Sequence, residues 1–323
     1  MNLETDMQVD RDRSASQVTG DPADDDLAAA PPASAPRIPY LPQRPADRLL
    51  AGVLLLLAPL ALGFLLVHML WGILVAALVF RRLPVRAANG LIVFWSRIAL
   101  VALGIRVETD AVPAEARAMP GALLLLNHVS WADVFVVAAV LPARFVAKSE
   151  IRGWPLAGWL ARGVGTLFIE RGRRHAVAHI NQQVADRLRG GQSIGIFPEG
   201  TTTDGTQVLR FHANLVQAAL QAEAPVIPVA LQYWQDDRPS RAAAYIGDMN
   251  IAESMLRVLI APRLRVRLRF LPAVPCAGTT RQAIAQQAHD AVRGALVLPL
   301  AAGAAATPVP AGTGAPQSGP KTY

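Results

Sequence analysis

An uncharged run of 32 residues, Leu49–Phe80, constrains this 323-residue chain more than any other feature of its sequence. As one straight helix the run would be ~48 Å long, whereas the hydrocarbon core of a bilayer is about 30 Å thick. Pro59 and Gly63 lie near the middle of the run, where a proline removes a helical hydrogen bond and favours a bend. Because buried core helices are rarely so long and so free of charge, the run predicts a membrane segment.

Two arrangements of this segment, which we assign to residues 47–82, fit the sequence. One is a bent helical hairpin that enters one leaflet and returns, and the other is a single tilted span. We predict the hairpin, as an N-terminal membrane-docking element. The positive-inside rule gives no crossing direction, because arginines flank the run on both sides. They are Arg37, Arg44 and Arg48 before the run and Arg81, Arg82 and Arg86 after it.

The charge distribution separates the start of the chain from its body. Residues 1–26 carry eight acidic side chains and two arginines, a net charge of −6, which leaves +13 on the rest of a chain whose total is +7. A basic body beside a long apolar run favours an anionic membrane surface as partner. The sequence has no zinc-finger spacing, ribonucleoprotein-type aromatic motif or lysine tract, which argues against nucleic acid. Cys276 is the only cysteine, so an intramolecular disulfide and a zinc–thiolate cluster are excluded.

The remaining chain divides by composition. Residues 1–46 are acidic and rich in proline and alanine, and residues 301–323 are rich in Ala, Gly and Pro, so we predict both to be disordered. Between residues 83 and 300, short apolar runs alternate with helical stretches, which predicts an α/β fold with a mixed, mostly parallel sheet flanked by helices. The predicted strands are Ile105–Thr109, Ala122–Leu126, Ala143–Ala147, Thr166–Ile169, Ser193–Phe197, Val226–Leu231 and Leu264–Phe270. The predicted helices are Asn89–Gly104, Trp131–Val140, Trp154–Arg162, His175–Arg189, His212–Ala222 and Thr280–Leu296.

The first segment that bears chemistry follows the second predicted strand. His128 comes two residues after an apolar run that ends at Leu126, and Asp133 follows the histidine by five residues. With His128 in a loop and Asp133 in the first helical turn, the carboxylate can reach one imidazole nitrogen. The other nitrogen could then take a proton from a hydroxyl nucleophile. This is the His–Asp half of a serine-hydrolase triad, with a substrate hydroxyl in place of the serine. Taken alone, the pair is a weak signal that favours a structural histidine over a catalytic one.

Two further segments place polar residues at strand ends. The segment Phe197-Pro198-Glu199-Gly200-Thr201-Thr202 offers backbone N–H groups that could bind a phosphate or an oxyanion, although a simple strand-ending turn also fits. The segment Phe168-Ile169-Glu170-Arg171 brings an acid and an arginine to a sheet edge. Arg173 and Arg174 follow and extend a basic cluster that suits an anionic head group.

Together these segments resemble the glycerolipid acyltransferase family, typified by 1-acylglycerol-3-phosphate acyltransferases and including bacterial lysophospholipid acyltransferases. The resemblance covers roughly residues 85–300, and four blocks occur in the family's order, which makes coincidence a poor explanation. The matching blocks are His128 with Asp133, then Phe168–Arg171, then Phe197–Gly200, and last Val226–Ala230.

The resemblance implies an enzyme that transfers a fatty acyl chain from acyl-ACP or acyl-CoA to the free hydroxyl of a lysolipid. It places the enzyme at the inner membrane with its active site on the cytoplasmic face, and no metal or cofactor is expected. By the same resemblance, His128 would deprotonate the acceptor and Asp133 would orient it. Arg171 would bind the acceptor's phosphate, Glu199 would support the site and Gly200 would allow close backbone approach. The other block residues expected to contact substrate are Phe168, Glu170, Phe197, Pro198, Thr201 and Thr202.

One departure from the family's pattern concerns the acceptor. We predict 1-acyl-sn-glycerol-3-phosphate, with phosphatidic acid as product. However, the third block commonly continues Gly-Thr-Arg, and Thr202 stands at the arginine position; likewise, His212 stands where a lysine is frequent. Losing two cations weakens phosphate recognition, and the Gly-Thr-Thr-x-Asp-Gly variant resembles bacterial enzymes that act on lyso-ornithine lipid, the alternative acceptor. Arg210 or the Arg171–Arg174 cluster could instead supply the charge.

A hydrolase is the rival from another class. Gly191–Gly195 spells the Gly-x-Ser-x-Gly elbow of lipases and thioesterases. That elbow turns from a strand into a helix, whereas here a predicted helix precedes Ser193 and a predicted strand follows it. The two glycines therefore indicate a helix-to-strand turn.

Overall fold

The computed structural model describes residues 44–170 and 174–297. The predictions made for residues 1–43, for Arg171, Gly172 and Arg173, and for residues 298–323 therefore lie outside the described residues. This applies to nearly all of both segments predicted to be disordered and to most of the Arg171–Arg174 cluster.

Helix α1, Pro45–Leu78, contains almost the whole uncharged run. It continues through Pro59 and Gly63, so the predicted break that would divide the run into two helices is wrong. A proline removes one main-chain hydrogen bond, and a helix of 34 residues keeps enough bonds on either side to remain continuous. The chain turns instead after Leu78, through a short 3-10 turn at Phe80–Arg82.

Helix α2, Val85–Ala102, completes the N-terminal helical pair. Pro84 precedes it and disfavours a helical conformation at Leu83, which is extended at φ −79° and ψ 142°. An N-terminal helical pair is therefore present as predicted, but its turn lies at residues 79–84 and its second member is α2, so the pair is not contained within residues 47–82. Both helices are long and apolar enough to cross a membrane. The most apolar 18-residue window of α1 has a mean hydropathy of 2.7, and only 11% of that window is buried inside the protein.

The sheet that follows is mixed and mostly parallel, as predicted. Its strands run in the order β1-β8-β6-β2-β5-β3-β4, with β7 paired to β6, and only the β6–β7 and β6–β8 pairings are antiparallel. The strands are β1 Arg106–Thr109, β2 Leu123–Leu126, β3 Arg144–Lys148, β4 Leu167–Ile169, β5 Ile194–Ile196, β6 Val226–Gln235, β7 Arg238–Pro239 and β8 Arg265–Phe270.

Helices cover both faces of the sheet. This explains why strand β2 consists of four leucines and has no polar position. Leu124 and Leu126 pack into the core on the side of α1 to α3, whereas Leu123 and Leu125 pack into the core on the side of α5, α6 and α8. Parallel strands covered on both faces are apolar at every position. The helices are α3 Asp133–Val140, α4 Ala157–Gly163, α5 Arg174–Arg189, α6 Gln217–Ala222, α7 Ile251–Leu259 and α8 Arg281–Ala295.

Helix α7 is absent from our sequence-based prediction. Asn250 caps it by accepting a hydrogen bond from the backbone N–H of Glu253 at 2.8 Å. An Asn followed three residues later by Glu is a recognised start signal of a helix. The signal was therefore in the sequence, although only nine residues of helix follow it.

Candidate active site

The catalytic candidates lie where β2 ends and α3 begins. Asp133 is the first residue of α3 and is fully buried. Its Oδ2 accepts hydrogen bonds from His128 Nδ1 at 2.9 Å and from the backbone N–H groups of Val129 and Ser130 at 2.8 and 2.9 Å. A carboxylate that accepts from Nδ1 holds the proton on that nitrogen. The Nε2 atom of His128 is therefore left with its lone pair and can accept a proton.

Tyr233 completes this constellation from a strand that is distant in sequence. It lies on β6, is 1% exposed, and its hydroxyl donates to Asp133 Oδ1 at 2.8 Å. Burial, and then the negative charge of Asp133, raise the pKa of Tyr233 well above its ordinary value, so the phenol remains a donor. The Asp133 carboxylate thus accepts four hydrogen bonds. Sequence reasoning missed Tyr233, because only the pairing of β6 with β2 brings it here.

Phe197 and Glu199, both predicted site residues, hold His128 in place. The Phe197 ring stacks on the imidazole with 3.9 Å between ring centroids and 16° between ring planes. Phe145 stacks in turn on Phe197, with 5.9 Å between their centroids. These contacts restrict the rotation of the imidazole and fix the direction of its Nε2.

Glu199 is a buried carboxyl that joins two backbone segments. It is 4% exposed, and its two oxygens accept N–H bonds from His128 and from Leu209, both at 2.7 Å. Burial raises the pKa of Glu199 to about 8, against the opposite effect of the two backbone hydrogen bonds. Glu199 therefore stabilises the backbone of the catalytic loop through the N–H groups of His128 and Leu209.

The loop after Glu199 folds back onto the catalytic loop. Gly200 has φ +74°, a conformation that a side chain disfavours. The Thr203 N–H donates to the His128 carbonyl oxygen at 2.8 Å, and the Thr202 hydroxyl donates to the carbonyl oxygen of Tyr245. Thr202 is therefore tied to a neighbouring segment of the protein. Thr201 is exposed, and the Pro198 carbonyl accepts the His212 N–H at 3.0 Å.

The second predicted block is farther from the imidazole. Phe168 lies in β4 and Glu170 directly after it, and strands β5 and β3 separate β4 from β2. Three strand spacings amount to ~14 Å. The structure thus places Phe168 and Glu170 at the same sheet edge as His128 but not against it, and Arg171 lies outside the described residues.

Ser193 does not belong to this site. It precedes β5, whereas His128 follows the parallel strand β2, so the two residues lie at opposite ends of the sheet. The Ser193 hydroxyl is buried, donates to the Ala116 carbonyl oxygen at 2.8 Å and accepts from the Ala122 N–H at 3.1 Å. The hydrolase alternative built on this serine is therefore wrong. Among residues 44–170 and 174–297, no group of three or more His, Cys, Asp or Glu side chains could hold a metal ion.

Comparison with known proteins agrees with this geometry. A family model described as Acyltransferase matches residues 105–232. A lyso-ornithine lipid O-acyltransferase from Pseudomonas aeruginosa is 44% identical over 174 residues, which cover 54% of this chain and 67% of the relative. A 1-acyl-sn-glycerol-3-phosphate acyltransferase from Neisseria gonorrhoeae is 32% identical over 209 residues, which cover 64% of this chain and 81% of the relative.

A solved structure shares the fold. The 1-acyl-sn-glycerophosphate acyltransferase from Thermotoga maritima matches with a TM-score of 0.51 and 19% identity, over 77% of this chain and 94% of that one. By its sequence and its fold, the chain belongs to the acyltransferase family.

Proposed function

We propose that the protein transfers a fatty acyl chain from acyl-ACP or acyl-CoA to the free hydroxyl of a lysolipid. The observation that carries the proposal is the contact of His128 Nδ1 with the buried Asp133 carboxylate at 2.9 Å, which leaves Nε2 as the proton acceptor. As the acceptor's oxygen attacks the thioester carbonyl carbon, Nε2 takes the hydroxyl proton. The carbon–sulfur bond then breaks, and the leaving thiolate receives that proton from the imidazolium. Asp133 orients the ring and stabilises the imidazolium.

Two acceptors are candidates. We predicted 1-acyl-sn-glycerol-3-phosphate from the four blocks. A relative whose name gives that acceptor is matched over 81% of its length. Lyso-ornithine lipid is the second candidate, since the relative that is 44% identical carries that name. The Thr202 hydroxyl also donates to the Tyr245 carbonyl instead of standing free at the position where phosphate-acceptor enzymes commonly place an arginine.

Acyl transfer by the purified protein tests the proposal. Both lysolipids should be offered with both thioester donors. His128→Ala should abolish transfer, and Asp133→Asn should leave a small residual rate, because only orientation and charge stabilisation are lost. His179→Ala, which removes an exposed histidine of α5, is the matched control and should keep full activity. Full turnover by His128→Ala would refute the mechanism, and inactivity of the wild-type protein with every acceptor would refute the function.

We also propose that α1 docks the enzyme in one leaflet of the inner membrane, with the active site on the cytoplasmic face. Asp47 near the start of α1 forms an ion pair with Arg263, and Ala76 near its end lies against Gly163 of α4. Since α1 is ~51 Å long and contacts the α/β domain near both ends, a perpendicular crossing would draw that domain into the bilayer. Soluble acyl donors and the basic body of the chain also fit this placement. Reporters fused before Arg44 and after Tyr323 should report the same side of the membrane, and opposite sides would establish a span.

A further inference from the structure

Two exposed tryptophans lie at the start of α4, in a part of the molecule that the proposed reaction does not use. Trp154 follows a 3-10 turn at Ser149–Gly153 and is 41% exposed, and Trp159 in α4 is 53% exposed. The residues on either side of Trp159, Gly158 and Leu160, are buried. Because tryptophan is on average one of the more buried residues of folded proteins, two exposed rings in one short segment indicate a surface that a partner covers.

Helix α4 lies alongside the second half of α1. Leu156, directly before α4, lines an apolar cavity of about 250 Å³ together with Leu66 and Met69 of α1. Gly163, the last residue of α4, lies so close to α1 that a Cβ atom added to it would be 2.6 Å from the Cβ atom of Ala76. Because the two ends of α4 meet successive parts of α1, the two helices run side by side and the tryptophans flank α1.

The neighbouring part of α1 is itself exposed and apolar. Six of its large apolar side chains are at least 40% exposed: Leu66, Val67, Leu70, Trp71, Leu74 and Leu78. Single exposed apolar residues are common on soluble proteins, whereas a contiguous apolar patch marks an interaction surface. Trp154 and Trp159 therefore widen a patch that already exists on α1.

Positive charge accompanies the two tryptophans. Residues 148–163 carry three cations and one carboxylate, a net charge of +2, from Lys148, Arg152, Arg162 and Glu150. Both arginines are exposed. Tryptophan rings concentrate at the head-group level of a bilayer, where arginines reach the anionic head groups while their stems cover apolar surface. A lipid surface thus matches both the charge and the apolar patch, whereas an acidic protein partner would leave the leucines of α1 in water.

We propose that Trp154 and Trp159 form, together with α1, one surface that docks on an anionic lipid bilayer with both rings at the head-group level. The inference extends the proposed docking by α1 and rests on it. Residues 149–154 follow β3, which is parallel to β2, so they lie at the sheet edge at which His128 follows β2. A lipid contact beside α1 would keep the domain from rotating about that helix and would hold the catalytic edge near the lipid surface.

Fluorescent labelling of the full chain in vesicles of phosphatidylcholine and phosphatidylglycerol tests this surface. Cys276→Ser removes the only native thiol, and Trp159→Cys, Leu70→Cys or Gln287→Cys then places one environment-sensitive fluorophore. Position 70 lies on α1, and position 287 is an exposed site of α8, on the other side of the sheet. On vesicle binding, the emission from positions 159 and 70 should shift to the blue, and head-group nitroxide lipids should quench most of it. The emission from position 287 should not change.

The three label positions separate this inference from the docking by α1. Quenching at position 70 without quenching at position 159 would overturn the inference and leave docking by α1 intact. No quenching at position 70 would refute both. Equal quenching at position 287, or a response at position 159 that depends on protein concentration and not on lipid, would also overturn the inference, the latter by assigning the surface to a second copy of the chain. Trp154→Cys repeats the test if circular dichroism shows that Trp159→Cys does not fold.

Discussion

Tyr233→Phe isolates one hydrogen bond of the catalytic constellation. The substitution keeps the buried ring of Tyr233 and removes only the hydroxyl that donates to Asp133 Oδ1 at 2.8 Å. Asp133 is fully buried, so solvent does not readily replace the lost donor. The other oxygen, Oδ2, retains its three hydrogen bonds, including the one from His128. The variant therefore keeps the His–Asp contact but allows the carboxylate to rotate about it.

The expected magnitudes follow from that single loss. A hydrogen bond to a charged group contributes about 1.5–3 kcal/mol, so the free energy of unfolding should fall by that amount. For a domain of this size the melting temperature should fall by roughly 3–12 °C. If orientation of Asp133 matters for proton transfer, the same loss raises the activation free energy, and each 1.36 kcal/mol lowers the rate about tenfold. We therefore expect kcat to fall by about ten- to a hundredfold. KM for the acceptor should not change, since Tyr233 binds only Asp133 and the core.

Ser193→Ala is the control that separates catalysis from stability. It also removes a buried hydroxyl with two hydrogen bonds, but at the opposite end of the sheet. Both variants should lose a similar amount of stability in thermal unfolding, whereas only Tyr233→Phe should lose kcat. A Tyr233→Phe enzyme with wild-type kcat and a lowered melting temperature would show that Tyr233 is purely structural, and the reasoning would be refuted.

Three further predictions concern other parts of the molecule. Burial raises the pKa of Glu199 from 4.5 to about 8, so between these pH values the folded protein keeps a proton that the unfolded chain releases. The free energy of unfolding should therefore fall as the pH rises from 4.5 to 8, by on the order of 5 kcal/mol. Glu199→Gln should lack this slope in melting curves between pH 5 and pH 8.5, and an identical slope would contradict the assignment. Deleting residues 1–80 should move the protein from sedimented vesicles towards the supernatant, incompletely because α2 remains; unchanged sedimentation would show that α1 is not the anchor. Arg171→Ala should raise KM for lysophosphatidate by about ten- to a hundredfold if that arginine binds the phosphate, and an unchanged KM would remove it from the site.

The parts of the fold that the sequence predicts are those that local pattern determines. Strand β2 is apolar at all four positions, and both of its faces are buried as such a run requires. Pro59 shows where this reasoning fails. A proline favours a bend, but the helix around it is long and apolar on most sides, so the cost of one hydrogen bond is outweighed by the bonds that remain. The turn lies at Pro84 instead, where the proline acts on the residue before it.

In the active site too, contacts between residues close in sequence were predictable and contacts between distant residues were not. The contact between His128 and Asp133 was predictable, because five residues that include a strand end and a helix start suffice to form it. Tyr233 was not, since it reaches Asp133 only through strand pairing across 100 residues of sequence. Glu199 was predicted as a supporting residue from the family resemblance. What it supports, the backbone N–H groups of His128 and Leu209, is visible only in three dimensions.

The same limit applies to the acceptor. A sequence block gives the residues that follow Glu199 along the chain, whereas binding of a head group depends on where charged groups lie in space. Thr202 occupies the arginine position of the block, yet a guanidinium from position 241 forms an ion pair two residues farther along the same loop. A cation beside this loop can therefore come from a chain position outside the block, although here Asp204 neutralises it. Acceptor preference should consequently be assigned from residues that converge on this loop, including the segment 241–245, rather than from the third block alone.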